Sequence, residues 1–210
     1  MYQLYDVIRN LKYLHDLNYC HKDFHSGNIL HDGRFAYISD FGLSGPADKQ
    51  KSEDRIYGVL PYIAPEVLNG EPYTLASDIY SLGVIMAEFS SGNPPFYDRK
   101  HDYKLSLDVC NGLRPEFGKG TPEFYKKLAY KCMNAILNQR PTSDELHDMQ
   151  LKLTIKVSDE YTSRQNISIV EILPLIDTFA VLLLKKFLLE RQNKFRFCHL
   201  SKPQGFARQS

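Results

Sequence analysis

Three polar residues near the start of this chain have the types and spacing of a phosphoryl-transfer site. Asp23 and Asn28 lie five residues apart in the run HKDFHSGN (His21 to Asn28), and Asp40 follows in SDFG (Ser39 to Gly42). Moving a phosphoryl group from ATP to a hydroxyl asks little covalent chemistry of a protein. A carboxylate must receive the hydroxyl proton, and oxygen ligands must hold magnesium against the phosphates. Asp23, Asn28 and Asp40 offer two carboxylates and an amide oxygen. Each fragment alone is a weak signal; the conjunction is what carries meaning.

The elements around these residues are legible from periodicity. Leu4, Val7, Ile8, Leu11 and Leu14 recur at three- and four-residue steps, which predicts an amphipathic helix over Met1 to Leu17. That helix has no cap or entry turn before Met1, so it is expected to start in mid-element. His21 to Asn28 reads as a polar loop, and Ile29 to His31 with Phe35 to Ile38 as two short strands joined by a tight turn. Gly42 to Pro65 is a long loop, a length usually kept for a functional task. Leu75 to Ser90 is apolar on nearly every face and belongs in mid-core, with Thr74 as cap and Gly92-Asn93-Pro94-Pro95 as stop. Further helices are expected over Asp102 to Asn111, from Thr121 (cap) and Pro122 (first position), and from the capping box Thr142-Ser143-Asp144-Glu145.

Composition shifts near Leu153, and this suggests a domain over 1–153, a polar linker over 154–168, and a helical segment with a basic tail over 169–210. A disordered, solvated end is the expected state of that tail. The chain has 210 residues, 43% hydrophobic and 24% charged, which is ordinary for a globular protein. A formal charge of +1 argues against a nucleic-acid partner. The most apolar run, Ile172 to Leu184, is too short for a membrane span and contains Pro174 and Asp177. Cys20, Cys110, Cys132 and Cys198 are scattered, and no secretory leader is visible. Reduced thiols in the cytoplasm or nucleus, not a secreted protein, are the expectation.

HKD, the Asn five residues after its Asp, DFG, and Ala64-Pro65-Glu66 occur in order at compatible spacings. In this the chain resembles the eukaryotic protein kinase catalytic domain. The resemblance covers Met1 to Leu153 and corresponds to the C-terminal lobe. It implies a mainly α fold with a short β-hairpin at the catalytic loop and the N-terminal β-lobe absent. By position it implies Asp23 as catalytic base, Asn28 and Asp40 as magnesium ligands, and Leu30 as the floor of the adenine pocket. His21 and Phe41 match the stacked spine, Asp78 the acid that braces the catalytic loop, and Glu66 with Arg140 a buried ion pair. ATP, Mg2+ and a protein substrate are the implied ligands, with partner proteins docking on the lobe as a further possibility.

Departures from the family pattern matter. Lys22 stands where the family usually has Arg and cannot fork a phosphate, which argues against strict dependence on activation-loop phosphorylation. His25 stands where serine/threonine kinases carry Lys; FHSGN resembles the tyrosine-kinase-like branch. His25 is therefore a catalytic candidate, with a structural loop residue as the alternative. Tyr57 to Ala64 resembles the acceptor-docking segment, with Val59 in place of Thr, and suggests Ser/Thr or dual specificity. Ser44, Ser52 and Tyr57 are the phosphorylatable residues before it.

The Gly-rich loop, the strand Lys and the helix Glu of a kinase upper lobe have no counterpart in these 210 residues. Leu30, His21 and Phe41 are then expected to face solvent, and phosphotransfer by this chain unaided to be negligible. Three readings stand. The chain is part of a working kinase, or a non-catalytic kinase-like binding module, or a lower lobe completed by another chain.

Overall fold

The computed structural model describes residues 2–47 and 56–149. The readings for Ser52, Cys198, the linker and the C-terminal segment fall outside these residues.

The first helix, α1 (Tyr2–Asp16), buries the expected stripe of Leu4, Val7, Ile8 and Leu11. It also buries an acid. Asp6 accepts the backbone N–H of Ala36 at 3.1 Å, and Asn10 donates to the Ala36 carbonyl at 3.2 Å. Side chains of α1 thus satisfy both backbone groups at the start of β3 (Ala36–Ile38), which pairs antiparallel with β2 (Ile29–His31). The turn between them is tied by Asp32, whose Oδ1 accepts from the Arg34 and Phe35 amides, with Gly33 at φ +94°. A second small ladder joins β1 (Tyr19–Cys20) to β4 (Gly45–Pro46).

Short helix α2 (Pro65–Leu68) leads to the central helix α3 (Leu75–Ser91), buried along most of its length as its sequence predicts. Thr74 caps it reciprocally with Ser77, whose Oγ accepts the Thr74 amide at 2.9 Å. Gly92, at φ +69°, ends it. Helix α4 (Tyr103–Cys110) packs against α2, and α5 (Glu123–Cys132) packs against α3. At Gly83 the approach is so close that a Cβ would sit 2.6 Å from Met133 Cγ and 2.9 Å from the Ala129 carbonyl. A last helix, α6, runs over 143–149, opened by Thr142 and Glu145 bonding each other's backbone amides at 3.1 Å. Among the described residues, no helix is long and apolar enough to cross a membrane. The architecture is mainly helical with a few short strands.

One helix start differs from expectation. Pro122, not Thr121, caps α5, and Glu123 is its first residue. The Thr121 hydroxyl is spent on closing the preceding turn, where it donates to the Gly118 carbonyl at 2.6 Å. Burial pushes the Cys20 and Cys132 thiols up to about 12, which leaves both inert.

Candidate active site

Between β1 and β2 the chain makes the loop His21–Asn28, and Asp78 near the start of α3 organises it. Asp78 Oδ2 accepts the His21 amide at 2.8 Å and faces His15 Nε2 at 3.1 Å; its Oδ1 accepts the Lys22 amide at 3.2 Å. Lys22 sits at φ +68°, a conformation unfavourable for a side-chain-bearing residue, and the buried carboxylate holds it there. The bracing role expected of Asp78 is what its bonds do.

His21 departs from expectation. It is fully buried, not solvent-facing, because its Nε2–H donates to the Ser39 carbonyl at 3.0 Å and its ring lies against Phe24 and Phe41. Phe41 and Leu30 are about half exposed, at 50% and 55%. Leu30 lies in β2 opposite Tyr37.

The turn Ser26–Asn28 places Asn28. Its Nδ2 donates to the Asp23 carbonyl at 2.9 Å, and its carbonyl accepts both the amide and the hydroxyl of Ser39, at 2.8 and 2.9 Å. Ser39 therefore delivers its neighbour Asp40 beside Asn28. Asp40 is exposed at φ +60° and caps the next turn, Phe41–Leu43. Asn28 Oδ1 and Asp40 Oδ2 are uncommitted to hydrogen bonds among the described residues. One amide oxygen and one carboxylate suit magnesium, which completes its shell with waters and phosphates. The donor set fits. Among the described residues there is no cluster of three or more His, Cys, Asp and Glu that could hold a metal.

Asp23 faces the cleft, and His25 follows it two residues later on the same loop. Among the described residues Asp23 Oδ1 is buried without a hydrogen-bond partner, and His25 Nε2 lies 3.6 Å from it, beyond bonding distance. His25 Nδ1 accepts the Gly27 amide at 3.1 Å. Opposite runs the segment 56–64. Gly58, at φ +102°, passes so near that a Cβ there would lie 3.1 Å from the Lys22 carbonyl and 3.3 Å from Asp23 Oδ1. Asp23, Phe24, Gly58, Val59 and Tyr62 line a narrow cleft of about 10 Å³.

Three contributors were not singled out from the sequence. Tyr73 OH accepts the Tyr57 amide at 3.0 Å and donates to the Tyr57 carbonyl, which anchors the far side of the cleft. Tyr62 OH donates to Glu88 Oε2 at 2.7 Å, and Ser26 Oγ donates to Glu88 Oε1 at 2.9 Å. Glu88 thus ties the catalytic loop to the facing segment. Burial raises the pKa of both Glu88 and Tyr62. A glutamate in an otherwise apolar helix was the available signal for it. Glu66 and Arg140 form the expected buried pair, Nη1 to Oε1 and Nη2 to Oε2, each at 2.7 Å.

The protein kinase domain family matches residues 2–151. A probable serine/threonine-protein kinase of Dictyostelium discoideum is 34% identical over 142 residues, 67% of this chain and 9% of that protein. Serine/threonine-protein kinase 4 homolog A of the same organism is 34% identical over 149 residues, 67% of this chain and 32% of that protein. A probable LIM domain-containing serine/threonine-protein kinase, also from Dictyostelium discoideum, is 30% identical over 162 residues, 77% of this chain and 24% of that protein. The chain spans a third or less of the length of each. With HKD, DFG and APE in order along the chain and the family match covering most of its length, this chain belongs to the protein kinase domain family.

Proposed function

We propose that the protein transfers the γ-phosphate of ATP to Ser or Thr hydroxyls of other proteins. The observation that carries this is the Asp23 carboxylate, with one buried oxygen unpartnered, at the mouth of a cleft faced by Gly58, Val59 and Tyr62. An acceptor hydroxyl entering there meets a base. Asp23 takes its proton as the hydroxyl oxygen bonds the γ-phosphorus and the bond to the bridging oxygen breaks, with ADP as leaving group, a role worth about 10²–10⁴-fold in rate. Asn28 and Asp40 would hold Mg2+, which neutralises phosphate charge when bound. Leu30 would floor the adenine, and His25 attends Asp23. The relatives' names support Ser/Thr acceptors.

In the finer reading, residues 1–153 are the C-terminal lobe of the kinase fold, followed by a linker over 154–168 and the segment 169–210. The protein works in the cytoplasm or nucleus. The isolated 210-residue polypeptide transfers phosphate negligibly, because the described residues leave Leu30 and Phe41 half exposed and its sequence has no Gly-rich loop or strand Lys to grip the phosphates.

Titrating ATP with Mg2+ into the chain tests the site directly. Perturbation of the Asn28 side-chain amide resonance, abolished by Asp40→Asn, supports the assignment. Perturbation that ignores Asp40 contradicts it. Asp23-dependent ADP release from the purified chain would overturn the finer reading alone.

A further inference from the structure

We propose that His25 is a positioning residue with two separable tasks: its Nδ1 caps the turn that carries Asn28, and its Nε2–H steadies the Asp23 carboxylate. This rests on the reading of Asp23 as base.

The first task is visible as a bond. Gly27 N–H donates to His25 Nδ1 at 3.1 Å, at the head of the turn Ser26–Asn28. An Nδ1 that accepts carries no proton, so the neutral ring bears its single proton on Nε2. The tautomer is therefore set by the backbone. Gly27 is what permits it: a Cβ there would meet ring atoms Cε1 at 2.8 Å and Nδ1 at 2.9 Å. The Tyr62 ring, centroid 5.8 Å away, flanks the imidazole.

The second task follows from what Asp23 lacks. Its Oδ1 is buried and unpaired, a costly state for a carboxylate oxygen, and His25 Nε2 stands 3.6 Å away. Other candidates are committed or unsuited. Lys22 Nζ lies towards Gly45, 3.2 Å from where a Cβ there would be. Tyr62 OH donates to Glu88, and Gly58 and Val59 bring no polar side chain to the cleft. A small rotation of either side chain closes the 3.6 Å gap to a hydrogen bond without any ligand present. With Oδ1 held by His25, Oδ2 is left to receive the acceptor's proton.

The two tasks separate by substitution. Asn is a good turn cap but too short to reach Asp23, so His25→Asn keeps the first and removes the second. The test uses imidazole 15N and carboxyl 13C spectra of the 210-residue chain. The expected result is a His25 ring protonated on Nε2 alone. His25→Asn should shift the Asp23 carboxyl resonance while leaving the Asn28 backbone amide in place. Gly27→Ala, which displaces the ring, should shift both. A proton on Nδ1, or an Asp23 carboxyl unmoved by His25→Asn, would overturn the proposal. The spectra need neither nucleotide nor acceptor, so a failure here is distinct from a failure of the kinase reading.

Discussion

Arg140 grips Glu66 with both arms of its guanidinium across 74 residues of sequence, while its remaining reach is used on the carbonyls of Ala76 and Asn134. The pair closes the segment facing Asp23 onto the start of α3. Both residues are buried, at 5% and 9% exposure, so removing one strands the other's charge away from water. Arg140→Ala should destabilise the fold by about 3–5 kcal/mol, read by urea unfolding. Arg140→Lys should recover little of it, since a point charge cannot reproduce two parallel bonds.

Asp78 serves the loop in the same way from below. Replacing it with Asn removes the charge from its bonds to the His21 and Lys22 amides and leaves Lys22 without the brace for its φ of +68°. A loss of about 1–3 kcal/mol is expected. Hydrogen exchange should accelerate at the His21 and Lys22 amides more than at the amides of α3, and equal acceleration would count against a local role.

Tyr80 presents the opposite case. Its ring is fully buried between the guanidiniums of Arg114 and Arg140, at 5.1 and 5.2 Å, and its hydroxyl has no hydrogen-bond partner among the described residues. Tyr80→Phe keeps the ring and deletes the orphan group. Thermal unfolding should show stability unchanged or raised by up to about 1 kcal/mol. A clear loss would reveal a partner for the hydroxyl.

Glu88 sets a pH dependence. Burial raises its pKa above the ordinary 4.5, so between that value and the higher folded one the native state binds more protons than the unfolded chain. By linkage, its contribution to stability falls as pH rises through that interval. Glu88→Gln, which cannot ionise, should flatten that part of the curve; an unchanged slope would place the effect elsewhere.

What the sequence made legible was local. The stripe of Leu4, Val7, Ile8 and Leu11, the all-round apolar α3 and the Thr142–Glu145 capping box each act within a few residues, and each appears where periodicity and capping rules put it. The loop motifs are equally compact, which is why Asp23, Asn28 and Asp40 could be named in advance. Long-range bonds were hidden. Ser26 and Glu88 are 62 residues apart, and Tyr57 and Tyr73 are 16 apart; no spacing rule joins them. The missing upper-lobe motifs predict a solvent-facing His21; its burial comes from within the lobe, through the bond to Ser39 and the Phe24 and Phe41 rings, which no spacing rule reveals. Thr121 was read as a cap because Ser and Thr serve turns and helix starts alike, and here the turn won.

The most direct test of the account is phosphotransfer by the native protein, captured from its source cells with an antibody to residues 121–148. We predict magnesium-dependent phosphorylation of Ser/Thr peptides, lowered about 10²–10⁴-fold when the gene carries Asp23→Asn. The mass of the captured protein, set against 24.3 kDa, tells whether further chain contributes. Captured protein that transfers no phosphate, or transfers it equally well with Asp23→Asn, would contradict the account and favour a partner-binding role.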